Sequence, residues 1–221
     1  MTFLKNRLQG KKMGIVILAV LIIISLAEVI FRAVAMGEAA LTTSNVGEQL
    51  AVIVLAVTIL ILTAKGKDRA CYILYGAWIG YFVFDQIFEL PGDIITLIRN
   101  MINVPIPSIG GIARIAISIC VVCIGALLVE YMSDGTICNK LFNAFCVIAL
   151  LFVLVSVITG ICAIATDASR ITNDMFTAEQ FKANVIIDAL NNLYRGTMIF
   201  LSAFFAYDSA KMQLKKTDLS K

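Results

Sequence analysis

Six apolar runs, most of them close to the length of a membrane crossing, constrain this chain more than any other feature. They cover about residues 14–36, 46–64, 70–90, 109–132, 141–165 and 184–207, with short polar segments between them. A spanning helix needs roughly 20 mainly apolar residues. A β-barrel would show alternating hydrophobicity instead of continuous runs. Bulk composition agrees: 60% of the 221 residues are hydrophobic and 15% charged, against roughly 45–50% and 25% in soluble domains. The expected fold is therefore all-α: one polytopic integral membrane domain, residues 1–221, with six transmembrane helices and the lipid bilayer as its main partner.

Local signals refine the boundaries. Lys5, Arg7, Lys11 and Lys12 precede the first run. Ala33-Val34-Ala35 has the look of a signal-peptide cleavage site, but the run continues through Glu28 and Arg32, too far for a compact signal core. It reads as the first spanning helix. Pro91-Gly92 predicts the end of the third. Residues 93–102 follow with Ile94, Ile95, Leu97, Ile98 and Met101 on an amphipathic pattern, as expected of an interfacial helix lying on the membrane, with an ordered loop as the alternative. Thr177-Ala-Glu-Gln180 fits a capping box, which starts the sixth helix near Ala178 and carries it to about Ala206.

Basic residues give the orientation. With a cytoplasmic N-terminus, the inner segments hold twelve Lys and Arg and the outer loops three, Arg99, Arg170 and Lys182. This bias predicts a multi-pass cell-membrane protein with both termini inside. The clusters report topology, and nothing in them points to nucleic acid.

The chemistry sits in the apolar runs themselves. Asp188, Asn191, Asn192 and Arg195 fall within roughly 100° of one another on one helix face. The apolar stretch after them is too short to span alone, so the helix must carry this face into the membrane. Polar groups there are costly unless paired or wetted, which marks a functional site by default. Glu28 and Arg32, spaced i, i+4 with the acid first, form a favourable helical ion pair. Glu48, Asp85, Glu89 and Arg114 lie on three further helices. With six alternating spans, all of these acids and arginines fall in the outer half. Trp78, Tyr81, Asp85 and Glu89 share one stripe of the third helix, opposite Gly76 and Gly80, whose GxxxG spacing suits close helix contact. The expectation is an aromatic and acidic wall with Trp78 and Tyr81 stacking on a solute, and Arg195 at the cavity floor beside Glu28 or Asp85.

Several function classes are excluded or weakened. The chain has no histidine, which removes His-based acid–base catalysis and most zinc, copper and non-haem iron sites. No metal site and no cofactor is expected, and no GxSxG, P-loop or GxGxxG is present. Cys120-Val-Val-Cys123 resembles the membrane-embedded redox pair of the vitamin K epoxide reductase family. That family relays electrons through a second, loop-borne cysteine pair, and the outer loops here carry no cysteine. Glu28-x-x-x-Arg32 is similar to half of the glutamate motif of intramembrane CAAX-type proteases, which also need histidines.

The size, six-helix topology and outward polar pocket are similar to the substrate-binding S-components of energy-coupling-factor vitamin transporters. The resemblance implies solute capture and a partner membrane subunit. Those proteins often dock the partner through AxxxA on the first helix, and helix one here has no such pattern in its apolar core. The expected function is binding or transport of a small polar or cationic solute. The alternatives are a non-catalytic interaction subunit for immunity, assembly or signalling, and an intramembrane thiol redox enzyme.

Overall fold

The computed structural model describes residues 11–36, 44–103, 109–134, 139–165 and 178–219. They form six α-helices: α1 (Lys11–Met36), α2 (Ser44–Ala64), α3 (Asp68–Asn103), α4 (Ile109–Asp134), α5 (Asn139–Ala165) and α6 (Ala178–Leu219). Five contain stretches long and apolar enough to cross a membrane: Lys11–Ala33, Val46–Ala64, Asp68–Arg99, Gly111–Glu130 and Lys140–Cys162. Helix α6 falls short of that apolarity, as expected from Asp188, Asn191, Asn192 and Arg195 within it.

Consecutive helices pack side by side, and α6 returns against α1, so the six close a ring. Helix α6 also touches α3 and α4. Its residues Met198, Ile199 and 201–207 are all buried. The least apolar helix is thus the most central. The physical reason is that polar side chains are costly against lipid and face the bundle interior. Helices α1 to α5 instead turn Ile23, Val54, Ile73, Val129 and Ile161 outward, each well exposed. Leu18, Leu21, Ile59, Ile117, Ile124 and Phe142 fill the middle.

The α2–α3 turn is fixed by backbone chemistry. Lys67 N–H donates to Leu62 C=O at 3.0 Å and Gly66 N–H to Thr63 C=O at 3.1 Å. This is the Schellman pattern, with Gly66 at φ 68° in the left-handed position that favours glycine.

Three expectations change. Helix α3 does not stop at Pro91-Gly92, and residues 93–102 are not a separate interfacial helix; one helix runs through Pro91 to Asn103. Proline inside a helix removes one hydrogen bond and costs about 3 kcal/mol. Here Glu89 and Asp93, either side of it, pair with Arg195 and Arg114 on neighbouring helices, which offsets part of that loss. Helix α6 runs to Leu219 instead of ending near Ala206. It does begin at Ala178, although Thr177 of the capping box lies outside the described residues. Finally, GxxxG does not make the close approach. A Cβ at Gly80 would meet nothing within 4 Å, and one at Gly76 only Phe205 at 3.6 Å. The tight crossing is at Gly125 of α4, where a Cβ would lie 2.5 Å from Val83 Cγ1.

Candidate functional site

At the end of the bundle where α1, α3 and α5 finish and α2, α4 and α6 begin, the helices surround a cavity of about 210 Å³. Glu28 and Arg32 come from α1, Glu48 and Gln49 from α2, Asp85, Gln86 and Glu89 from α3, Arg114 from α4, and Asn191, Asn192, Tyr194 and Arg195 from α6. Five helices contribute because successive antiparallel helices bring these positions to the same depth.

The arginines are all engaged. Arg32 donates to Glu28 Oε1 from Nε at 2.9 Å and from Nη2 at 2.7 Å. Both side chains are largely buried, Glu28 at 1% exposure. With its amide nitrogen turned toward Glu28, Asn191 adds bonds to both carboxylate oxygens at 3.2 and 3.0 Å. Arg195 Nη2 donates to Glu89 Oε2 at 2.5 Å. Arg114 sits between Asp188 at 3.3 Å and Asp93 at 3.8 Å.

Neutral groups knit the helices together beneath these pairs. Ser118 of α4 donates to Gln86 Oε1 at 2.9 Å, and Gln86 Nε2 donates on to Glu89 at 3.2 Å. Asn192 Nδ2 donates to Ser156 Oγ of α5 at 2.7 Å and to its own helix at Asp188 C=O, 2.9 Å. Toward the other end, Tyr207 donates to Asn143.

Acids outnumber arginines. Four acids and three arginines line the cavity, and Asp93 and Asp188 flank it through Arg114. Among the described residues, neither Glu48 nor Asp85 has a Lys or Arg within 4.0 Å. Among the described residues that line the cavity, two buried acceptors, Gln49 Oε1 and Asn192 Oδ1, have no hydrogen-bond donor, and Arg195 Nη1 has no acceptor; Asp93 Oδ2 and Ser25 Oγ nearby are likewise without a partner. Gln49 and Asn192 are 6% and 4% exposed. Buried polar atoms normally find a partner, so these stand ready for a group that enters the cavity.

Nine of the twelve residues expected from the sequence meet here. Three do not. Asp188 sits at the rim as the half-exposed partner of Arg114. Trp78 and Tyr81 line a separate groove between α2 and α3, so they form no wall of the polar cavity. Trp78 is 2% exposed and packs in the core, while Tyr81 is 57% exposed. An 80° stripe on a single helix is wide enough to straddle two sides of a packed bundle. The partner of Arg195 is Glu89 instead of Glu28 or Asp85, which only the helix rotations decide. Gln49, Gln86, Ser118, Ser156 and Tyr194 enter the site or its support without a sequence signal beyond being polar in an apolar run. Cys120 and Cys123 are free thiols, buried and half-buried. Among the described residues, no group of three or more acids and cysteines is arranged to hold a metal ion.

Fold and site define an all-helical chain, consistent with a helical membrane protein, with a charged cavity at one end of its bundle. The chain matches no family model, no curated protein and no solved structure.

Proposed function

We propose that the chain is a multi-pass membrane protein of six spanning helices with both termini cytoplasmic, and that its cavity captures a small cationic solute, such as an amine, from the outer side. The observation that carries this reading is the imbalance of the cavity. Among the described residues, each of the three cavity arginines is paired with an acid, while Glu48 and Asp85 have no Lys or Arg within 4.0 Å and two buried carbonyl oxygens of the lining have no donor. An ammonium group supplies both missing elements, a positive charge and several N–H donors.

Placement of α6 as the sixth span is supported by its packing along α1 and α5. Orientation is supported by the positive-inside bias of the connecting segments. Below the cavity, Leu21, Phe82, Ile117, Val121 and Ile199 are all buried. Such an apolar plug suits one-sided capture better than an open channel. Transport would then need a rearrangement driven by an ion gradient or a partner subunit, since the chain has no nucleotide-binding motif.

The test is thermal unfolding of the purified protein in nanodiscs with methylammonium, tetramethylammonium, amino acids, Na⁺ and Ca²⁺. The expected result is stabilisation by an organic ammonium that is lost in Glu48→Gln and Asp85→Asn. Equal stabilisation of parent and both variants, or no response to any cation, would overturn it. A second reading, a non-catalytic interaction subunit, is favoured by the full pairing of the three arginines. It predicts no response to any of these solutes.

A further inference from the structure

The polar cavity is not isolated. Glu48 also lines a groove of about 450 Å³ along the seam of α2 and α3, whose remaining lining is Ala51, Val52, Leu55, Leu74, Ala77, Trp78 and Tyr81. One carboxylate therefore borders both spaces. The groove exists because the seam is poorly filled: α2 and α3 meet only sparsely. Small residues stand where bulk would close it. Ala51 and Ala77, both in the lining, add only methyl groups. Elsewhere on the two helices Leu50, Val54, Ile73 and Phe84 are exposed, an apolar surface suited to lipid.

The two volumes argue together. Small-molecule sites usually occupy about 300–1,000 Å³ and combine apolar walls with a few placed polar groups. The polar cavity is below that size, and the groove has almost no polar groups except Glu48. Each lacks what the other supplies.

We propose that the ligand is an amphiphilic cation, a single hydrocarbon chain ending in an ammonium group, whose head sits in the polar cavity against Glu48 and whose tail lies in the α2–α3 groove. The proposal rests on the cation reading above and extends it to a ligand reached from the bilayer. The tail gains little by leaving lipid for an equally apolar groove, because no water is displaced in that transfer. Selectivity therefore comes from the head, and the groove lets the tail remain in hydrocarbon while the head reaches the carboxylate. Among the described residues no lysine or arginine pairs with Glu48, and Tyr81 lines the groove half-exposed.

Trp78 is the chain's single tryptophan and lines the groove, so its fluorescence reads occupancy directly. The experiment titrates protein in nanodiscs with dodecyltrimethylammonium brominated near the chain end. The expected result is saturable quenching of Trp78, competed by unbrominated dodecyltrimethylammonium. It should be absent with brominated dodecyl sulfate at the same mole fraction of lipid. Glu48→Gln should raise the half-saturating mole fraction at least about tenfold, the effect of roughly 1.4 kcal/mol. Ala77→Phe, which fills the groove, should abolish quenching while leaving any stabilisation by tetramethylammonium intact. Non-saturable quenching that is equal for cationic and anionic chains would overturn the groove assignment. So would stabilisation by tetramethylammonium without competition for the chain, which leaves the cavity reading standing. Failure of both tetramethylammonium and the long-chain cation overturns the cavity reading itself.

Discussion

The Arg195–Glu89 pair predicts an asymmetry that simple pairing would not. The two side chains meet at 2.5 Å, but Arg195 is 12% exposed and Glu89 is 45% exposed. Removing Arg195 leaves a carboxylate that still reaches water and still accepts from Gln86 at 3.2 Å. Removing Glu89 leaves a buried guanidinium whose Nη1 already lacks an acceptor. Losing one partner of a fully buried pair costs about 3–5 kcal/mol, whereas exposed pairs contribute about 0–1 kcal/mol. Glu89→Met should thus destabilise by about 3 kcal/mol and Arg195→Met by about 1–2 kcal/mol. The double variant should cost less than the sum by at least about 1 kcal/mol, a coupling between α3 and α6 above the ~0.6 kcal/mol average of interhelical bonds in membranes. Reversible unfolding in mixed micelles, followed by circular dichroism for all four proteins, measures each term. If Arg195→Met costs as much as Glu89→Met, or if the double variant is additive within about 0.5 kcal/mol, the assignment of burial to the arginine is wrong.

Other contacts make separate predictions. Gly125→Ala places a methyl 2.5 Å from Val83 Cγ1 and should cost about 1–3 kcal/mol, partly recovered in combination with Val83→Ala; a neutral single variant would refute the tight α3–α4 crossing. Gly80→Ala meets open space and should be neutral or stabilising by up to about 1 kcal/mol, so a loss of stability would show an unseen contact there. Pro91→Ala restores a backbone donor inside a continuous helix and should stabilise, whereas destabilisation would mean that the proline marks a break. Asn192→Leu removes the 2.7 Å bond to Ser156 and should cost about 1–2 kcal/mol; Ser156→Ala should be milder, and the reverse order would contradict the buried position of Asn192.

Sequence alone determined the element type and much of the boundary set. Long apolar runs admit only helices in lipid, because every backbone polar group must be satisfied within its own segment. The same logic gathered most of the site. An ionisable group is tolerated in such a run only at a special place, so Glu28, Glu48, Asp85, Glu89, Arg114 and Arg195 identified themselves as a set. Alternating direction of successive helices put them at one end of the bundle.

What only the tertiary structure decided depends on helix rotation and spacing, which periodicity does not encode. Pro91 is a reliable stop signal locally, but the helix runs through it, and Arg195 and Arg114, distant in sequence, pair with Glu89 and Asp93 on its two sides. Trp78 and Asp85 share a stripe on α3, yet α2 divides that stripe between a lateral groove and the polar cavity. Which acid receives which arginine, and that Glu48 and Asp85 are left over, follows from distances of a few ångströms between five helices. The sum of charges is a property of the sequence; the unbalanced remainder that would attract a cation exists only once the helices have packed.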